Sequence, residues 1–206
     1  SLNLKTIFQA TATEVRQLLN ADRVGVFRFY PESGFDDGEF VSEDVLSPYR
    51  SALAARIHDH CFGERYAIDY ARGRIQAVND IYNAGLADCH IQVLAQFQIK
   101  ANLIVPLLQG DRLWGLLCIH QCATPRHWQA DEIEFVSEIA TQLGIAIQQA
   151  ELLLQTQEQT ATLQRLTNQQ HTLFQVVTKI RASLDVETIF RNTCLELCKV
   201  LKADRV

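Results

Sequence analysis

Between Leu4 and Leu19 apolar side chains recur at helical spacing (Leu4, Ile7, Phe8, Val15, Leu18, Leu19) and stop before Asn20-Ala21-Asp22, which predicts an amphipathic helix and its end. The period then changes. RVGVFRFY (23–30) is β-rich, PESGFDDG (31–38) clusters turn residues, and GEFVSEDV (38–45) resumes strand-like alternation, so this stretch predicts an antiparallel hairpin. Between about 46 and 100 the pattern is irregular and polar, with short helical and extended pieces. A segment of that length is better explained by a binding region than by a bare connector. ANLIVPLL (101–108), a turn at Gln109-Gly110-Asp111 and RLWGLLCIHQC (112–122) predict a second hairpin with an apolar face. Helix, antiparallel strands, loop-rich cassette, two strands and helix make an α+β sandwich.

From about Gln129 to Ala182 there is no Pro, and Gly144 is the only Gly. Val136, Ala140, Leu143, Ile147, Ala150 and Leu154 follow a 4-3-4-3 spacing, which Leu166, Leu173, Val177 and Ile180 resume after a Gln/Thr-rich middle. This predicts one long signalling helix; the alternative is two helices broken near 156–162. Some 50 residues would reach on the order of 75 Å, far more than a globular domain needs. Such a stripe is usually a dimer seam, so a parallel homodimer is expected.

The chain also repeats itself. SLNLKTIFQATATEVRQLLNADRV (1–24) aligns without a gap with SLDVETIFRNTCLELCKVLKADRV (183–206) at an offset of 182, with 12 of 24 positions identical. The expected organisation is one domain over 1–150, a helical linker over 151–182 and the truncated start of a second copy over 183–206. The chain contains no Met, and a piece of a longer protein is expected.

Composition narrows the partners. With 19 basic against 24 acidic residues the net charge is −5, and no Lys/Arg stripe appears, which argues against nucleic acid. No run approaches 18 apolar residues, so no membrane span is expected. Six cysteines without regular disulfide spacing or a signal peptide fit a reducing cytoplasm with free thiols.

Two of these cysteines stand in polar surroundings, Cys61 in HDHCFGER and Cys89 in AGLADCHIQ. A neighbouring imidazole and partial exposure help a thiol ionise, although residue type alone fits a surface cysteine as well. A cysteine protease would need its His on another segment, which the adjacent His90 does not supply. Cys118, His120 and Cys122 alternate on one predicted strand face and suggest soft metal ligands, as does HDHC at 58–61. Neither set has CxxC spacing, and no metal is expected. Cys194 and Cys198 read as packing residues. Arg74, in Arg72-Gly73-Arg74, is either solvated or a fork for carboxylate or phosphate.

LWGLLCIHQC followed by RHWQADEIEFVSEIATQLGIAIQQA resembles a GAF domain, and DHCF with DCH is similar to the Asp-X-Cys-Phe, dual-cysteine cyanobacteriochromes. The resemblance covers about residues 1–150. It implies a GAF fold and a linear tetrapyrrole, phycocyanobilin or its isomer phycoviolobilin. By that resemblance Cys89 would anchor the pigment through its A-ring side chain and His90 would pack on the pyrroles. Asp59 would contact the pyrrole nitrogens, and Cys61 would add reversibly at the C10 bridge, moving absorption to the blue or violet. Arg74 would clamp a propionate and His120 would line the pocket near the ring that rotates. Light would act by isomerising the C15=C16 bond. The implied function is photoreception, without enzymatic activity beyond self-attachment of the pigment. The alternatives are a GAF domain for a cyclic nucleotide or other small regulator, a thiol redox or metal sensor, and a pure dimerisation module.

Overall fold

The predicted opening helix is α1, Leu4–Leu19, which buries Phe8, Ala12, Val15 and Leu19 and ends where Asn20 turns left-handed at φ 49°. Its computed structural model describes residues 3–30, 32–53, 55–183 and 185–202. Pro31 of the predicted turn, and residues 203–206 at the end of the expected second copy, lie outside the described residues.

The predicted first hairpin is β1, Arg23–Phe29, paired antiparallel with β2, Asp37–Val45. The irregular stretch resolves into β3 (Arg56–His58), α2 (His60–Arg65), α3 (Ala67–Ala71), β4 (Gln76–Val78) and α4 (Asp88–Gln96). The second hairpin follows as β5, Ala101–Gln109, and β6, Arg112–Gln121. The strands form one antiparallel sheet in the order β3-β2-β1-β6-β5-β4. The edge strands β3 and β4 have three residues each, too short for alternation to announce them.

Alternation along the central strands assigns the two faces, because successive side chains in a strand point to opposite sides. Val24, Val26, Leu103, Val105, Leu107, Leu117 and Ile119 join α1 in one core. Phe27, Phe29, Ile104, Leu116 and Cys118 join Phe62, Tyr70, Leu94 and Phe97 in a second core on the cassette side. One antiparallel sheet with a core on each face is the α+β sandwich that the pattern predicted.

The long helix is α5, Ala130–Ser183, of 54 residues. Its first apolar positions are not a dimer seam, as the spacing alone suggested: Val136, Ala140, Leu143 and Ile147 pack into the first core beside Trp128. The same 4-3 spacing serves a helix laid on a sheet, so period alone does not separate the two uses. Gly144 marks the closest approach, since a Cβ there would sit 2.5 Å from the Leu108 carbonyl oxygen. Farther along, Leu154, Leu166, Leu173 and Val177 are exposed.

Two units divide the chain, Ser1–Leu152 and Leu153–Val206. In the second, Asp185 caps α6, Val186–Leu201, through the Glu187 N–H, and Lys202 ends it in the left-handed conformation. These bounds repeat those of α1 at the offset of 182. No helix among the described residues is long and apolar enough to cross a membrane.

Candidate functional site

Asp59 organises the start of α2. Its Oδ1 accepts the Phe62 N–H at 3.0 Å, an N-cap bond that supplies one of the helix's orphan donors with a partner. Its own N–H donates to the Asp36 carbonyl at 2.7 Å, tying the motif to the turn after β1. Its second oxygen, Oδ2, accepts from His90 Nδ1 at 2.5 Å. One carboxylate therefore joins the DHCF and DCH motifs, 31 residues apart.

The cap also aims the next residues inward. Phe62 stacks on Phe29 and Tyr70 with centroids 5.3 and 5.2 Å apart. Cys61 is 6 % exposed, so the expectation that it occupies an open polar stretch is corrected: its polar neighbours Asp59 and His60 flank a side chain that the turn of α2 points into the fold. On α4, Cys89 and His90 lie in the first turn, with His90 5.6 Å from Tyr66.

The expectation of six free thiols is corrected as well. Cys61 and Cys89 form a disulfide with Cα atoms 6.3 Å apart, inside the range such a bond spans, while Cys118, Cys122, Cys194 and Cys198 are free. The reason is tertiary: α2 and α4 bring together two helix starts whose 28-residue separation carries no pairing signal. His60 Nε2 lies 3.6 Å from Cys61 Sγ.

Beside this junction the cassette and the sheet enclose a largely apolar cavity. Six of the ten phenylalanines line it (Phe27, Phe29, Phe35, Phe40, Phe62, Phe97), with Asp59, His90, Asn102 and His120 among its polar residues. The lining includes Cys118 but not Cys61, Cys89 or Arg74. Arg74 faces outward, where its guanidinium donates to Asp69 at 2.8 Å. The alternating Cys118, His120 and Cys122 do not converge as ligands, because Cys122 lies beyond β6 with its sulfur 3.9 Å from the Phe97 carbonyl. Among the described residues the ligand atoms that do gather are those of His60, Cys61 and Cys89.

Burial sets the chemistry of the cavity wall. His120 is fully enclosed, and desolvation, then the nearby Arg23 charge, hold its pKa well below the ordinary imidazole value, so the ring is neutral. Desolvation likewise pushes the Cys118 thiol above its usual range and keeps it protonated, which removes it as a nucleophile. The His120 Nδ1 and the Asn102 Oδ1 are buried without a hydrogen-bond partner.

Sequence reasoning missed Arg23, which holds this wall in place. Its side chain is wholly buried and pairs with Glu43 at 2.9 Å. It also donates to the Arg50 carbonyl at 2.5 Å and to the Phe97 carbonyl, at the end of α4, at 3.0 Å. Asp22 beside it accepts the Cys122 and Ala123 N–H groups at 2.7 and 2.8 Å. A signal existed: Ala21-Asp22-Arg23-Val24 recurs unchanged at 203–206.

The family model for the GAF domain matches residues 3–147. A putative methyl-accepting chemotaxis protein of Synechocystis, sll0041, is 43 % identical over 155 residues, which are 75 % of this chain and 15 % of that protein. The chain thus spans a small part of that relative's length. The blue-light-absorbing form of the Thermosynechococcus elongatus PixJ GAF domain, a cyanobacteriochrome, superimposes with a TM-score of 0.70 and 37 % identity, covering 76 % of this chain and 92 % of its own. The far-red-absorbing dark state of JSC1_58120g3, solved with biliverdin IXa bound, has a TM-score of 0.67 and 32 % identity, covering 73 % and 93 %.

Proposed function

The chain belongs to the GAF domain family, and on that premise we propose that it is a light-sensing module carrying a linear tetrapyrrole through a thioether. The observation that supports this most directly is the meeting of the two cysteine motifs beside an aromatic cavity with orphaned polar atoms. A flat, conjugated, mostly apolar pigment with inward polar groups matches such a lining. Similarity to the PixJ cyanobacteriochrome GAF domain, and to a far-red-absorbing structure that holds biliverdin, supports the same reading.

When bound, the pigment would supply the light absorption and the C15=C16 isomerisation. The protein's own residues do the rest. Cys89, once reduced, provides the permanent anchor from the first turn of α4. Asp59 presents a carboxylate to pyrrole N–H groups while its bond to His90 fixes that ring against the pigment. Cys61, once reduced as well, would supply the second, reversible thiol: its S–H would add across the pigment's central bridge, the sulfur to the bridge carbon and the proton to a pyrrole nitrogen, and leave again, exchanging a blue or violet for a green or longer-wavelength form. Phycocyanobilin or phycoviolobilin is the proposed pigment. The module catalyses nothing beyond its own pigment attachment. We propose that its signal leaves along α5, with the exposed Leu154, Leu166, Leu173 and Val177 forming the seam of a parallel homodimer.

A cyclic-nucleotide site is less well supported. Phosphate recognition calls for Arg, Lys or a cluster of N–H donors. No Arg or Lys is among the described residues lining the cavity, and Arg74 is engaged outside it by Asp69. The deciding experiment is co-expression with bilin-making enzymes followed by absorption spectroscopy in alternating light. Coloured, photochromic protein is expected; colourless protein from cells that make bilin overturns the proposal.

A further inference from the structure

His60, Cys61 and Cys89 bring one imidazole nitrogen and two sulfurs within 4.8 Å of one another. His60 and Cys61 open α2 and Cys89 stands in the first turn of α4, so the set spans two segments. The expectation of no metal rested on spacing within each motif, which cannot register ligands drawn from both. His60 Nε2 lies 3.6 Å from Cys61 Sγ. In a tetrahedral zinc site, with Zn–N about 2.0 Å and Zn–S about 2.3 Å, such a nitrogen and sulfur stand about 3.5 Å apart and two sulfurs about 3.8 Å. The first distance is already met, and opening the disulfide lets the sulfurs part to the second. His58 stacks on the His60 ring with centroids 6.0 Å apart, and His60 is exposed, which leaves an ion a way in. Asp59 is not a fourth ligand, because its two oxygens are engaged by the Phe62 N–H and by His90.

We propose that the reduced, pigment-free protein binds one thiophilic cation of the zinc class through His60 Nε2, Cys61 Sγ and Cys89 Sγ, with water in the fourth position, and that metal and pigment exclude one another. The site does not depend on the light-sensing reading; the exclusion rests on it, since both ligands then claim Cys89. Two thiolates and an imidazole select zinc-like ions over calcium and magnesium, which take oxygen. The disulfide must open first. A phosphine does this by taking the oxygen of one water as phosphine oxide, while its electron pair and the two protons of that water leave both sulfurs as thiols. The metal then forms two metal–sulfur bonds and releases both thiol protons to solvent. Two thiolates and a dication sum to zero, so the part-buried junction is left without net charge. Once Cys89 holds the pigment, its sulfur is a neutral thioether and a poor zinc ligand.

The test adds cobalt(II), a coloured stand-in for zinc, to pigment-free protein reduced with a phosphine in the absence of air. One equivalent is expected to produce thiolate-to-cobalt charge-transfer and tetrahedral d–d bands, and one equivalent of zinc to erase them. Cys61→Ser/Cys89→Ser should lose the bands, and Cys194→Ser/Cys198→Ser, which removes the thiol pair on α6, should keep them. His60→Gln leaves both sulfurs and should weaken binding by at least about tenfold, since even residues that only orient a ligand are worth about 10–100-fold. Oxidised wild type, with the same fold and its two sulfurs paired, should show no bands. Absent bands in the reduced wild type, equal bands after oxidation, or bands that survive in Cys61→Ser/Cys89→Ser would overturn the site. Zinc-loaded protein is expected to lose bilin uptake and a chelator to restore it; undiminished uptake would overturn the exclusion. Reduced, metal-free protein that takes up no bilin would overturn the light-sensing reading instead, with the cobalt bands still deciding the site.

Discussion

Cys61 and Cys89 share one disulfide between the first turns of α2 and α4, although each is also assigned a separate bond to the pigment. A sulfur held in a disulfide is not a nucleophile until exchange with another thiolate frees it. Pigment uptake should therefore depend on reduction. Apoprotein prepared without reductant is expected to show weak zinc-induced fluorescence after incubation with bilin and denaturing electrophoresis, and dithiothreitol to restore it. Cys61→Ser leaves Cys89 without a partner and should load equally well with or without reductant. Equal loading of the wild type under both conditions would count against this linkage.

The two cysteines should separate by phenotype once the protein is pigmented. Cys89→Ala is expected to abolish the covalently attached pigment. Cys61→Ser should keep it and lose the blue or violet form, since serine removes the soft nucleophile while roughly keeping its size. A Cys61→Ser protein with an undiminished blue or violet band would refute the second thioether and leave the anchor assignment standing.

Gly144→Ala sets two effects against each other. Helix propensity alone would favour Ala by about 1 kcal/mol. The added Cβ, however, would lie 2.5 Å from a backbone carbonyl oxygen of Leu108, which cannot swing aside as a side-chain tip could. Net destabilisation is expected, typically about 1–3 kcal/mol for overpacking of this kind. Urea unfolding gives the sign, and a gain in stability would show that α5 shifts freely on the sheet.

Arg23→Ala should be among the most damaging single changes in the first unit. It leaves Glu43 buried without its cation and frees the Arg50 and Phe97 carbonyls. Breaking one side of a buried pair costs about 3–5 kcal/mol. Because Phe97 closes α4, pigment attachment at Cys89 should fall too. Circular dichroism melts and attachment yield, measured together, check both effects.

What could be read in the sequence and what could not divide along physical lines. α1, both hairpins and α5 carry long periodic patterns, and they appear in the structure within a residue or two of where periodicity placed them. The cassette carries the site on helices of five to nine residues and on three-residue strands, too short for a period to register. Motif chemistry drew attention to Asp59, Cys61, Cys89 and His90, but the Asp59–His90 bond and the Cys61–Cys89 contact arise only when α2 and α4 pack together. The place of Asn102 opposite His120 was illegible for another reason. Its strand reads as a nearly continuous apolar run, and only the pairing of β5 with β6 sets it opposite His120.

His120 provides a test of the buried wall that needs no pigment. Burial, and then the Arg23 charge, lower its pKa well below the ordinary 6.5, whereas in the unfolded chain it titrates near that value. Below about pH 6.5 the unfolded state therefore binds a proton that the folded state refuses, so stability is present above this pH and is lost as pH falls. One such group accounts for about 1 kcal/mol between pH 6.5 and 5.5, given a slope that approaches 1.36 kcal/mol per pH unit. In His120→Leu that share should disappear while the contributions of the other titrating groups persist, so the urea midpoint of the pigment-free variant should fall less over this interval than that of the wild type. An imidazole NMR titration of the wild type checks the premise independently: the His120 resonances should stay in the neutral form throughout. Equal acid losses in the two proteins, or a His120 that titrates near pH 6.5, would show that water reaches the ring and that the wall is not the dry surface described.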